Sequence, residues 1–446
     1  MINYSIVQKS HLEGATRLDA EYYHPEYLTY LDKIRKFSKP LAEFVKLIKH
    51  PAEIERIYEE SGVPFLLTQN ISPDLYILQF DEKRFIREED AKKIPQNKLL
   101  AGDTVMTRTG ANYGDAAVYL GDPSELFASA HILIIRPKNV TGEFLATFLN
   151  SKIGRALVKR GVYGTSQPEI SPEYIKTLLI PFPNEKKLNL ITENVRLAHR
   201  ALKDSKSLYS QAEDYFSESL GLKDFEPEKE LSYVINLSEV KSAHRADAEY
   251  FKPKYQRLLK FLGKEKQPLK MIAKRKTAKR KILADCDYKY IEISDVDVGS
   301  GDVSFNILKG SNLPANAKIK IEGGELIVSK VRPTRGAVGI IPNDWNSNFM
   351  ASGAFSVFQV PSPTREYLQV VLRSIVGKLQ MEKPTTGTSY PTVIDEDIEE
   401  LIIPILPQSA QERIAKLVLQ SHKARRKANE LLEKAKREVE EFIEKR

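Results

Sequence analysis

Arg17-Leu18-Asp19-Ala20-Glu21-Tyr22-Tyr23-His24-Pro25-Glu26-Tyr27 returns as Arg245-Ala246-Asp247-Ala248-Glu249-Tyr250-Phe251-Lys252-Pro253-Lys254-Tyr255, 228 residues on, with seven of eleven positions identical. Gly164-Thr165-Ser166-Gln167-Pro168 likewise returns as Gly387-Thr388-Ser389-Tyr390-Pro391, at an offset of 223. Between these landmarks, Gly102-Asp103-Thr104-Val105-Met106-Thr107-Arg108 answers Gly324-Glu325-Leu326-Ile327-Val328-Ser329-Lys330 at 222. Landmarks in one order at a nearly constant offset mean one module present twice, over roughly residues 1–222 and 231–446.

The 446 residues give each copy enough chain for its own core. A hydrophobic fraction of 41% against 29% charged residues is ordinary for a globular protein and argues against a disordered or membrane-embedded one. The formal net charge of +8 is compatible with a polyanionic partner without requiring one. Cys286 is the single cysteine, which excludes an intrachain disulfide, a thiolate zinc site and a dithiol redox motif; packing is its expected role. No apolar run approaches the roughly 18–20 residues of a membrane span, and Met1-Ile2-Asn3-Tyr4-Ser5 is not the start of a signal peptide. A cytoplasmic protein that does not engage membranes is expected.

Within each copy the residue pattern shifts from sheet-like to helical. Residues 63–71 and 288–296 read as strands entering turns. So do Asp103–Arg108, Ala116–Leu120 and His131–Arg136, with their counterparts Glu325–Lys330, Ala337–Ile341 and Ala354–Val360. Helical stretches follow around Thr141–Arg160 and Pro363–Glu382. The pattern predicts an α+β fold with two repeated β-rich domains.

Each copy then ends in a long helix. Ile191, Val195, Ala198, Leu202, Ser205, Tyr209, Ala212 and Phe216 recur at alternating spacings of three and four. Ile414, Val418, Ser421, Arg425, Ala428, Leu432, Ala435, Val439 and Phe442 continue the same rhythm in the second copy. Spacing sustained in this way predicts a coiled-coil seam, so each helix needs a partner and the other copy's helix is the economical one. Connectivity predicts an antiparallel pair of roughly 50 Å, a pseudo-twofold and nearly circular arrangement with a β-rich domain at each end. The expected division is 1–186 first domain, 187–222 first helix, 223–231 linker, 232–409 second domain and 410–446 second helix.

This layout resembles the specificity (S) subunit of type I restriction–modification enzymes. The Gly-Thr-Ser turns at 164–166 and 387–389 are followed by apolar strands ending in Ile180-Pro181-Phe182-Pro183 and Ile403-Pro404-Ile405-Leu406-Pro407. Gln411-Glu412-Arg413-Ile414 then opens the second helix, whereas the first copy departs with Asn184-Glu185-Lys186-Lys187. The resemblance covers the whole chain in layout; order and duplication carry it more than any one motif. It implies that each domain is a target recognition domain reading one half of a bipartite, asymmetric DNA sequence, with the helices fixing the spacer. It further implies a non-catalytic chain without a cofactor of its own. Its partners would be double-stranded DNA, two methyltransferase (M) subunits and two restriction (R) subunits, with S-adenosylmethionine, ATP and Mg in those subunits.

Base edges carry sequence information, whereas phosphate contacts position a protein. Lys274, Arg275, Lys276, Lys279 and Arg280 lie in a stretch without an acid until Asp285, suiting phosphate contact or a solvated face. Arg108, Asn112 and Tyr113 in the first copy, and Lys330, Arg332 and Arg335 in the second, lie on Gly-bounded loops after the Asp103 and Glu325 strands. Thr165, Ser166, Thr388 and Ser389 offer hydroxyls that suit a phosphate or a turn equally. Gln167 and Tyr390 differ at matched positions and are candidate base readers. The Asp-Ala-Glu-Tyr landmark is expected to dock against the end of the helix pair.

Other classes remain open at this stage. A methyltransferase would need an Asn/Asp-Pro-Pro-Tyr/Phe motif and a Gly-rich cofactor loop, and neither is present. The specificity subunit of a fused restriction–methylation enzyme, or a two-domain protein-binding scaffold without DNA activity, are the alternatives.

Overall fold

A computed structural model describes residues 4–8, 17–55, 57–72, 75, 77, 84–164, 167–227, 232–277, 281–387 and 389–445, with only the backbone of residue 318. The chain divides into two compact units, one of residues 1–202 with 426–446 and the other of 203–425. Both are α+β.

In the first unit, the strands Val45–Lys49, Ile132–Pro137, Thr104–Thr107 and Ala116–Val118 form an antiparallel sheet in that spatial order. The second unit repeats it with Lys274–Arg275, Phe355–Gln359, Leu326–Ser329 and Val338–Ile340. The register repeats as well: Thr104 faces Ile135 and Val118, and Leu326 faces Phe358 and Ile340. Both central strands are buried throughout, which explains their unbroken apolar and Thr/Ser runs.

A second sheet in each unit holds a parallel pair, Val63–Leu66 with Phe127–Ala128 and Asp287–Ile291 with Phe349–Ser352. In the first unit Phe85–Ile86 completes three strands. In the second, Asn306–Lys309 and Ala317–Ile321 complete four.

The stretches read from sequence as one helix per copy are each two. Gly142–Asn150 gives way to Lys152–Arg160, and Thr364–Arg373 to Ile375–Glu382. Ser151 and Ser374 break them, each accepting a backbone N–H of the following helix on its hydroxyl. Gly154 and Gly377 let the second helix approach the first. A Cβ there would lie 1.8 Å from the Phe148 carbonyl oxygen and 2.3 Å from that of Leu372.

The long helices are Glu185–Leu220 and Gln408–Glu444. The first begins at Asn184, whose side chain accepts the Lys187 N–H at 2.9 Å, so the departure from the expected motif is an ordinary N-cap. In the first unit Ile191, Val195, Ala198 and Leu202 share one apolar cluster with Leu432, Val439 and Phe442. Lys187 pairs with Glu438 between these segments. In the second unit Tyr209 and Phe216 cluster with Ile414 and Val418. There the Ser421 hydroxyl donates to the Ser205 carbonyl (2.7 Å) and lies 3.1 Å from the Ser205 hydroxyl. Burial pushes the Tyr209 phenol up to about 12.

Each helix segment also belongs to the core of its own unit. The first cluster extends to Ile34, Leu41, Phe144 and Leu157, the second to Leu269, Phe358, Tyr367 and Leu372. Packing on a partner helix and packing on the β-rich domain are therefore not alternatives. The seam position Arg425 turns out of the apolar row toward Asp297 (3.3 Å) and Asp302 (3.6 Å).

The Asp-Ala-Glu-Tyr landmark makes contacts other than those expected. Arg17 pairs with Asp19, lies over the Tyr22 ring, and donates to the carbonyls of Gly161 (3.3 Å) and Val162 (3.0 Å). Arg245 does the same with Asp247, Tyr250, Pro384 (2.9 Å) and Thr385 (3.1 Å). These carbonyls follow a short helix and have no intrahelical donor, so a guanidinium satisfies them. Among the described residues no helix is long and apolar enough to cross a membrane.

Candidate nucleic-acid interface

The buried central strand of each unit delivers the chain to a loop, and that loop is laced to the Gly-Thr-Ser turn. In the first unit Gly110 N–H donates to Pro168 O (3.2 Å) and Ile170 N–H to Arg108 O (3.1 Å). In the second, Arg332 N–H donates to Pro391 O (2.8 Å) and Val393 N–H to Lys330 O (3.0 Å). Each turn is closed at its base by a reciprocal pair, Tyr163 with Glu169 and Thr386 with Thr392. Two segments singled out separately in the sequence thus form one composite edge. Gly164 and Gly387 make the turn possible: φ is +88° and +86°, and a Cβ at Gly164 would meet Gln167 O at 2.6 Å.

The side chains on this shared scaffold differ. In the first unit Arg108 pairs with Glu169, while Asn112 and Gln167 are exposed. Tyr113 is half-buried in a groove with Arg17, Tyr22, Lys159, Tyr163 and Tyr174. In the second unit Arg332 lies 4.6 Å from the centroid of the Tyr390 ring, and its Nη2 donates to Ser389 O at 3.2 Å. Ser389, Tyr390 and Arg335 are exposed, Tyr390 by 66%. Thr165, Ser166, Lys279, Arg280 and Thr388 lie outside the described residues.

Part of the basic stretch is committed within the protein. Arg275 lies 3.2 Å from Asp395, 3.6 Å from Glu396 and 3.1 Å from Glu399. Lys276, nearly buried, pairs with the buried Glu325 at 2.6 Å and with Glu322 at 3.3 Å. Lys330 pairs with Asp395 at 3.1 Å. Burial alone would raise the Asp395 carboxyl, but bonds from Ser356 and Lys330 hold it below the usual carboxylate range. Lys274 is exposed. The acids around Arg275 come from a helix some 120 residues downstream, Asp395–Glu399, which local sequence reading did not connect to it. Glu169, two residues past Gln167, was also missed; its closeness to the turn was the available signal.

Among the described residues no group of three or more His, Cys, Asp or Glu side chains could hold a metal ion. The arrangement offers hydrogen-bond donors, an exposed amide and exposed aromatic surface on a glycine-shaped edge. Such groups suit contact with a polar, anionic polymer.

Residues 269–441 match the family model described as the type I restriction modification DNA specificity domain. That match lies within the second half of the chain and does not extend into the first copy of the repeat. No curated protein sequence matches the chain. Among solved structures, the chain is similar to a type I restriction-modification system S subunit from M. genitalium, at 12% identity and a TM-score of 0.45, over 90% of this chain and 95% of that one. It is also similar to the HsdS subunit from Thermoanaerobacter tengcongensis, at 13% identity and a TM-score of 0.29, over 90% and 95%.

Proposed function

We propose that the two units read the two halves of a bipartite, asymmetric DNA target, and that the long helices set the number of base pairs between the halves. The observation that carries this reading is the paired-loop edge, built by the same backbone bonds in both units and dressed with different side chains. A shared scaffold with unlike side chains suits unlike half-sites. In this reading Lys274, Arg335 and the Gly-Thr-Ser hydroxyls serve phosphates, while Asn112, Gln167, Arg332 and Tyr390 face bases. Arg108, Arg275, Lys276 and Lys330 act chiefly by holding the edge in place.

The chain itself is non-catalytic in this proposal and works in the cytoplasm. Its partners are duplex DNA, methyltransferase subunits using S-adenosylmethionine, and restriction subunits using ATP and Mg. The exposed Tyr4, Ile6 and Leu18 beside the first landmark, and Val234 and Leu237 beside the second, give each repeat apolar surface for a subunit present twice.

Methylome sequencing of cells expressing the chain with its partners tests the reading. A two-part methylated adenine motif is expected. Adding one heptad to both helices should lengthen the gap and leave both half-site sequences unchanged. An unaltered gap defeats the spacer role, and purified chain that ignores salt in its DNA binding defeats the DNA role altogether.

A further inference from the structure

We infer that Arg332 reads a guanine in the half-site of the second unit, held for that task by Tyr390 and by its own backbone. The inference rests on the DNA reading proposed above and adds the base and the residue.

Arg332 sits at φ +47°, ψ +52°, in the left-handed region, where a side chain bearing a Cβ is disfavoured. The corresponding residue of the first unit is Gly110, at φ +93°, with nothing within 4 Å of where a Cβ would be. The loop backbone therefore demands a residue that tolerates positive φ, and the first copy supplies glycine. The second copy accepts strain and gains a guanidinium on an exposed edge.

That guanidinium is fixed. Its central carbon lies 4.6 Å from the centroid of the Tyr390 ring, and one of its five N–H groups is spent on Ser389 O. A planar fork placed over an aromatic ring suits the two acceptors, O6 and N7, that guanine alone presents side by side in the major groove. A phosphate would be served as well by a solvent-exposed side chain such as Arg335 in the same loop, and would not require these contacts. The first unit lacks the device: Gly110 and Gln167 stand where Arg332 and Tyr390 do, and Arg108 is occupied by Glu169.

The test is selection of duplexes from a pool of randomised sequence by the full-length chain. The wild type should enrich a two-part motif with an invariant G·C pair in one half. Arg332→Gly, which relieves the strained φ, should keep the rest of the motif and lower the preference for that guanine roughly 5- to 150-fold. Tyr390→Leu should weaken the preference at the same position only, whereas Arg335→Ala should lower affinity for all sequences alike. An R332G variant that weakens every sequence equally with the motif intact makes Arg332 a phosphate contact and overturns the inference. So does an unchanged motif in both R332G and Y390L. A wild type that enriches no motif brings down the DNA reading itself, and this inference with it.

Discussion

At the tip of the loop after the central strand, the first unit has Gly110 where the second has Arg332, and at the matched turn Gln167 stands against Tyr390. Beneath those positions the two units keep the same strand pairings, the same serine-capped helix break and the same arginine on the same carbonyls. The difference teaches where each kind of residue is constrained. Loop torsions and a paired buried acid, Asp103 in one copy and Glu325 in the other, are kept because a change there costs the fold, although the cation is Arg136 in the first and Lys276 in the second. Exposed side chains on the loops are free to diverge because only a ligand senses them.

The largest expected effect tests the ion pair beneath each edge. Glu325 relies on Lys276, and Asp103 on Arg136 through two bonds of 2.8 Å. Lys276→Ala should destabilise the second unit by about 3 kcal/mol, because it leaves the buried Glu325 carboxylate with only neutral donors, the Gln359 amide and the Glu322 N–H. Arg136→Ala should cost the first unit less, since Arg136 is about a quarter exposed and water can replace part of the bond. Denaturant unfolding followed by circular dichroism measures both. If Lys276→Ala left stability intact and lowered DNA affinity instead, Lys276 would be a phosphate ligand and the two units would differ in their frames as well.

Next come Gly154→Ala and Gly377→Ala, which push a methyl group into a carbonyl of the preceding helix. Each should cost about 1–3 kcal/mol. A marked inequality in unfolding midpoints would show that the helix break is tighter in one unit than in the other.

The smallest effect belongs to His199. Its Nε2 donates to the Leu75 carbonyl at 3.0 Å, and burial holds the imidazole below its ordinary range despite that bond. The folded state thus prefers the neutral ring. The stability it contributes is complete above the unfolded value of ~6.5 and is lost as pH falls below it toward the folded value. A thermal melt series from pH 7.5 to 5.5 should show this loss, and His199→Gln, which keeps a donor without titrating, should flatten it.

Much of the frame was legible in the sequence. Constant offsets exposed the duplication, and short β-branched segments bounded by turn residues marked Asp103–Arg108 and Glu325–Lys330 as strands, which the structure has at Thr104–Thr107 and Leu326–Ser329. The three-four rhythm marked Ile191 to Phe216 and Ile414 to Phe442 as helix faces. What stayed hidden depends on three-dimensional proximity. Arg275 and Lys276 looked like free cations because Asp395, Glu399 and Glu325 lie far along the chain. The break at Ser151 and Ser374 was masked because helical periodicity resumes at once beyond it. The landmark looked like an anchor for the long helices, because nothing local points Arg17 at carbonyls 144 and 145 residues away. The left-handed torsion at Arg332 has no local signal, because the residue itself disfavours it.

The reach of Arg245 to Pro384 and Thr385 has a practical corollary for anyone who wishes to excise the second half. The family match starts at residue 269, yet a fragment trimmed there discards the guanidinium that secures the chain just ahead of Gly387. It also discards Tyr209 and Phe216, which complete the apolar cluster around Ile414 and Val418. A self-sufficient piece has to begin upstream of Tyr209, and an engineer who grafts by sequence homology alone would transplant the reading edge without its moorings.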